Sequence, residues 1–142
     1  MALYSVGLRT TNTTINQACV EIYTASTLAI KVLEIGLSQT VGTACEYGLG
    51  RPAAQGISPV AVAFQAEQST TDPAAKTNAS LSWGTSPTAP TVYMRRLATP
   101  ATIGAGMIWT FPRGFYLPPT ASLVIYNITG TVACDCWIVI DE

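Results

Sequence analysis

The sequence contains no histidine. That absence removes the commonest general base, the Ser–His and Cys–His nucleophile pairs, and the commonest metal ligand. Charge is scarce too: Asp, Glu, Lys and Arg make up 11% of the 142 residues, against about 25% in a typical soluble domain. No segment approaches the roughly 20 apolar residues that span a bilayer, so no membrane association is expected. Met1 to Arg9 lacks a basic opening followed by a long apolar run. No secretion signal is read there, and synthesis in a cytoplasm is expected. Nine prolines spread along the chain exclude long helices over most of it.

The few charges that exist are informative. The seven basic residues, Arg9, Lys31, Arg51, Lys76, Arg95, Arg96 and Arg113, are scattered along the sequence, and the net charge is −1. Phosphate neutralisation needs a clustered basic face, so direct nucleic-acid binding is not expected. Arg95-Arg96 is the one adjacent pair, and in a strand its members point to opposite faces. The carboxylates are Glu21, Glu34, Glu46, Glu67, Asp72, Asp135, Asp141 and Glu142. No two of them are spaced in a way that suggests the paired acid and base of a glycosidase, and no enzymatic activity is expected.

Hydrophobic residues make up 49% of the chain. They fall in short runs separated by Gly, Pro, Asn, Thr and Ser, the pattern of a sandwich or barrel. The expected fold is all-β: one antiparallel β-sandwich domain over 18–142, of eight to ten strands. It is preceded by an N-terminal strand and polar arm over 1–17, with Thr10–Gln17 able to reach a neighbouring subunit. The expected strands are Leu3–Arg9, Ala18–Thr24, Leu28–Ser38, Thr43–Leu49, Val60–Ala66, Ala79–Trp83, Val92–Ala98, Met107–Phe111, Ser122–Asn127 and Thr131–Ile140. Leu28–Ser38 also fits a helix face through Leu28, Val32 and Ile35, but its β-branched residues and the alternation of Leu33, Ile35 and Leu37 favour a strand. Asp72-Pro73 has the form of an N-cap and first helical residue, which allows a short helical turn over Asp72–Lys76.

The last strand carries the clearest pattern. Val132, Cys134, Cys136, Ile138 and Ile140 share one face at period two and belong to the core. Ala133, Asp135, Trp137, Val139 and Asp141 form a mixed second face, suited to partial exposure or a subunit contact. Thr129-Gly130 reads as the turn of a hairpin joining this strand to Ser122–Asn127.

A surface poor in ions loses little when a partner covers it, so extensive contacts between copies of the chain are expected. Arg51 and Arg113 are candidate interface anchors, because a planar guanidinium pairs well with a partner's carboxylates or carbonyls. Trp109, just before Phe111-Pro112-Arg113, is expected at a rim, and Trp137 and Asp141 complete the candidate interface set. Trp83, Trp109, Trp137, Tyr93, Tyr116 and Tyr126 admit a second use, as a stacking platform for sugars, although aromatics in sheets more often pack in cores and interfaces.

Cys19, Cys45, Cys134 and Cys136 allow a metal site, a disulfide or plain burial. Cys134-Asp135-Cys136 has one intervening residue where zinc motifs use two to four, and a cytoplasm keeps thiols reduced, so small buried apolar residues are the favoured reading. No cofactor is expected. Gly48-Leu49-Gly50-Arg51-Pro52 lacks the spacing of a phosphate loop and reads as a strand end.

Several runs resemble a family of small virion proteins of tailed bacteriophages. They are Tyr47-Gly48-Leu49-Gly50-Arg51-Pro52-Ala53-Ala54, Ala101-Thr102-Ile103-Gly104, Ile108-Trp109-Thr110-Phe111-Pro112-Arg113-Gly114, Ser122-Leu123-Val124-Ile125-Tyr126-Asn127, and the ending Ile138-Val139-Ile140-Asp141-Glu142. The likeness runs from about Ile22 to Glu142. What the resemblance implies is a jelly-roll-type sandwich on the outside of a phage head. Such a head-decoration or cement protein, as a homotrimer, clamps neighbouring copies of the major capsid protein. A tail or surface component that binds host glycan is the alternative.

Overall fold

Alternation in the last strand orients half of the molecule. In a computed structural model, which describes residues 2–10 and 15–142, Val132, Cys134, Cys136, Ile138 and Ile140 are all buried and their neighbours are half-exposed. The strands are β1 (Leu3–Arg9), β2 (Gln17–Tyr23), β3 (Ile30–Gln39), β4 (Cys45–Gly50), β5 (Ile57–Pro59), β6 (Val62–Ala63), β7 (Gln65–Ala66), β8 (Asn78–Ser80), β9 (Trp83–Thr85), β10 (Arg95–Thr99), β11 (Gly106–Leu117), β12 (Ser122–Thr129) and β13 (Cys134–Asp141). No helix occurs among the described residues. The protein is an all-β sandwich.

The first sheet has the order β11-β3-β13-β1-β7 and the second β10-β4-β12-β2-β8-β6, with every pairing antiparallel. Both sheets contribute to one core: Val6, Val32, Ile35, Leu37, Ile138 and Ile140 meet Val20, Ile22, Tyr47, Leu49, Leu123 and Ile125. Full burial of a large aliphatic side chain stabilises by about 1.5–3 kcal/mol, so this sandwich interior is the main source of stability. The chain alternates between sheets from β1 to β4, passes from β4 through the long 51–94 segment to β10, and alternates again from β10 to β13.

This winding corrects the expected hairpin. β12 pairs with β2 and β4, whereas β13 pairs with β1 and β3. The turn at Thr129-Gly130 therefore carries the chain from one sheet to the other. Gly130 has φ +82°, and an added Cβ there would lie 2.6 Å from the Ala44 carbonyl oxygen. Buried Asn127 holds the corner, donating from Nδ2 to the Gly130 carbonyl at 2.8 Å and accepting from the Cys45 thiol at 3.0 Å. A local turn signal sets a reversal of direction and leaves the choice of partner strand to the rest of the core.

Other expectations change, among them the single strand over Ala79–Trp83, which is split into β8 of the second sheet and β9 of a small third one. The single strand over Val60–Ala66 is broken into β6 and β7, which join different sheets. No helical turn forms over Asp72–Lys76; the segment is irregular and Tyr4 donates its hydroxyl to the Pro73 carbonyl at 2.8 Å. The N-terminal strand is an integral part of the sandwich, since β1 pairs along its seven residues with β13. Within the expected arm, residues 11–14 lie outside the described residues. Thr10 is buried and Asn16 bonds back to Asn127 and Tyr126.

A small third sheet, β5 with β9, lies over the second sheet. There Trp83 and Tyr93 pack on Ala18, Val124 and Tyr126. Buried Glu21 anchors this flap, accepting from the Trp83 indole N–H at 2.6 Å and the Gly56 backbone N–H at 3.2 Å.

Candidate functional site

Strand β11 is one edge of the first sheet and β10 one edge of the second. Midway along β11 the register breaks: Thr110 pairs with Glu34 and Phe115 with Val32, so four residues of β11 stand opposite Leu33 alone. Pro112 has no N–H to give a ladder, and Gly114 adopts φ +68° close against the Lys31 side chain. The excess chain bulges outward, carrying Arg113 at an exposed tip between Phe111 and Phe115. The strand expected to end at Phe111 thus continues past this interruption to Leu117.

The two phenylalanine rings lie 6.0 Å apart at 55°. The Arg51 guanidinium, just past the end of β4, sits 5.0 Å over the Phe115 ring and donates to the Tyr116 carbonyl at 3.2 Å. The Arg95 guanidinium, from β10, sits 5.9 Å from the Phe111 ring and donates to the Met94 carbonyl at 2.9 Å. Each cation–π contact contributes about 0.5–1 kcal/mol at an exposed site. One N–H group of each guanidinium is used on a backbone carbonyl, which leaves further donors for a partner. Arg95, Phe111, Arg113 and Phe115 border a shallow hollow of about 390 Å³. Exposed apolar residues stand at the edge strand and beside Arg51: Ile108 (52%), Tyr116 (56%) and Val92 (73%).

No carboxylate answers these three arginines among the described residues. The ion pairs there are Arg9–Asp135 at 2.6 Å and Arg96–Glu46 at 2.6 Å. Three of the seven basic residues that look scattered along the sequence are thus brought to one edge, which corrects the sequence reading for Arg51, Arg95 and Arg113. Three cations, two of them stacked on rings, with an apolar rim are still far from the six to ten phosphate contacts of a strong nucleic-acid binder. The arrangement suits bidentate capture of carboxylates on a partner surface.

Of the candidate interface residues, Arg51 and Arg113 come together here. Trp109 does not join them: it is 6% exposed and points into the core, so the expectation of a rim position is corrected. It occupies the inner face of β11 opposite Ile35, while Ile108 takes the outer one. Trp137 lies on the outer face of the first sheet, flat against Gly36, donating its indole N–H to Glu34 at 2.8 Å. Asp141 is on that same outer face, opposite Lys31, in a hollow bordered by Leu28 and Tyr116. The aromatic set is dispersed, with Trp109 and Trp137 on opposite faces of one sheet and Trp83 under the flap.

Sequence reasoning did not single out Arg95, Phe111 or Phe115. The available signal was Phe-Pro-Arg-Gly-Phe inside a strand-forming run, two aromatics flanking a bulge. The four cysteines are buried and none of them forms a disulfide. Among the described residues no group of three or more Cys, Asp or Glu side chains could hold a metal ion. No described helix is long and apolar enough to cross a membrane. Comparison with protein-family models, with curated proteins and with solved structures finds no match to this chain.

Proposed function

We propose that this protein is a structural subunit of a tailed-phage virion, a head-decoration or cement protein. It acts by binding, with no catalysis, as a homo-oligomer (a trimer by the resemblance) seated on the major capsid protein at the outside of the head. The observation that carries this reading is the arginine–phenylalanine edge. Stacked guanidiniums without carboxylate partners, bordered by exposed apolar side chains on a charge-poor surface, have the composition of a protein interface. The strand order gives further support. Taking β1, β2, β3, β4, β10, β11, β12 and β13 as strands one to eight, the sheets run 1-8-3-6 and 2-7-4-5, an order we read as jelly-roll winding of two Greek keys. Modest contacts repeated by symmetry give large avidity without one tight site.

The test is the position of the chain in an electron-microscopy map of the intact particle. Density for the sandwich on the outer surface of the head, and a higher melting temperature when the protein is added back to stripped heads, are expected. Density confined to the tail, or no effect on stripped heads, refutes the reading.

A further inference from the structure

The two lateral edges of the sandwich differ in charge. On the β11 side stand Arg51, Arg95 and Arg113. On the β7 side, four strands across the first sheet and roughly 19 Å away at the usual strand spacing, lie Glu67 and Asp72. Glu67 directly follows β7, its backbone N–H bonded to the Leu3 carbonyl. Asp72 lines a cleft of about 290 Å³ with Tyr4, Phe64, Gln65, Thr70 and Pro73. Neither carboxylate makes an ion pair among the described residues. The field there is negative enough to be felt by Tyr4. Its phenol is pushed up by burial first, and then by the nearby Glu142 and Asp72 carboxylates. Glu142 itself is occupied, accepting the Lys76 and Thr77 backbone N–H groups at 2.7 and 3.0 Å. Lys76 is exposed beyond the cleft and also makes no ion pair.

Resting on the reading of the arginine edge as an interface, we infer that its occupant is a second copy of this chain. The Arg113 tip of one copy enters the Tyr4–Asp72 cleft of the next. A two-fold contact that joined like edges would set arginine against arginine. The complementary edges lie on opposite sides of the molecule, so the contact is head-to-tail, and repeating it with a constant rotation closes a ring. The cleft, of about 290 Å³, is lined by half-buried Asp72 over the buried Tyr4 and Phe64, and a carboxylate is the partner that an arginine takes at protein interfaces. Arg113 is suited to the role, being exposed and without a described side-chain partner.

Charge reversal tests the pairing. Wild type, Arg113→Glu, Asp72→Arg and the double variant are compared by light scattering after size exclusion, with circular dichroism and melting temperature as checks on folding. The wild type is expected to be a closed oligomer. Each single reversal sets like charges together and is expected to weaken assembly at least about tenfold, and the double variant to restore it. A monomeric wild type, single reversals that assemble normally, or a double variant as dissociated as the singles overturns the inference. Binding to stripped heads, measured on the same samples, separates the two readings. If Arg113→Glu loses heads but still assembles, the edge faces the capsid, and the inference falls while decoration stands. If assembly responds as expected but wild type never binds heads, decoration falls and the ring stands. Binding of a single-stranded DNA oligonucleotide by wild type, abolished in Arg113→Glu, would assign the edge to nucleic acid and overturn the inference.

Discussion

The indole of Trp137 covers Gly36 so closely that a Cβ on that glycine would fall inside the ring. The two residues are cross-strand partners on the outer face of the first sheet, and the missing side chain lets the ring lie flat and reach Glu34. Gly7, the partner of Trp137 on its other side, meets nothing within 4 Å where its Cβ would be.

The two glycines should therefore respond oppositely to alanine. Gly36→Ala has to lift Trp137 off the sheet and break its bond to Glu34, an expected loss of about 1–3 kcal/mol. Gly7→Ala adds a methyl in open space and reduces the entropy lost on folding, an expected gain of about 0.5–1 kcal/mol. Urea denaturation measures both, and a blue or red shift of tryptophan emission should accompany the first alone.

Glu21 is the anchor of the β5–β9 flap. Glu21→Ala leaves the Trp83 indole and the Gly56 N–H facing a buried space without an acceptor, and each such loss costs about 1–3 kcal/mol. Because the flap lies outside the main core, hydrogen exchange should quicken at Gly56 and around Trp83 well before the strands β12 and β13 are affected. Uniformly faster exchange across the sandwich would show that the flap is not a separable unit.

The Arg9–Asp135 pair makes a pH prediction of definite sign. The hydrogen bond from Arg9 holds the Asp135 carboxyl below its ordinary range. A carboxyl depressed in the folded state contributes stability above its unfolded pKa, and that contribution is lost as pH falls through the folded one. The melting-temperature difference between wild type and Asp135→Asn should then be present at neutral pH and vanish in acid. It should be small throughout and shrink in salt, since the pair is exposed.

The thiols should be silent in the native state. Burial pushes Cys45 and Cys136 up. Cys134 is held lower by hydrogen bonds from Cys19 and Thr10 but is enclosed. A disulfide reagent such as Ellman's is expected to titrate none of the four quickly in native protein and all four in denaturant. Rapid native reaction at Cys134 would mean that the core near Thr10 opens.

Much of the fold could be read in advance because period-two alternation is a local property. β13 shows it over four buried positions, and Leu3–Arg9 begins and ends where its pattern does. What alternation cannot carry is partner choice. Ser122–Asn127 and the last strand look like a hairpin in sequence, yet each pairs with strands far along the chain. At Ile108-Trp109 two apolar neighbours face opposite ways, and only the pairing of Trp109 with Ile35 decides which is inside. The arginine edge was half legible: Arg51 and Arg113 stood out by residue type. Their meeting with Arg95 depends on a bulge and on two sheet edges coming together.

Because β1 finds its main partner in β13, a strand synthesised early has to wait for one synthesised much later. Until that moment the middle of one layer is vacant and apolar faces stand open to other nascent chains. A chain so rich in distant pairings folds slowly, and aggregation competes with folding for as long as those pairings are unmade.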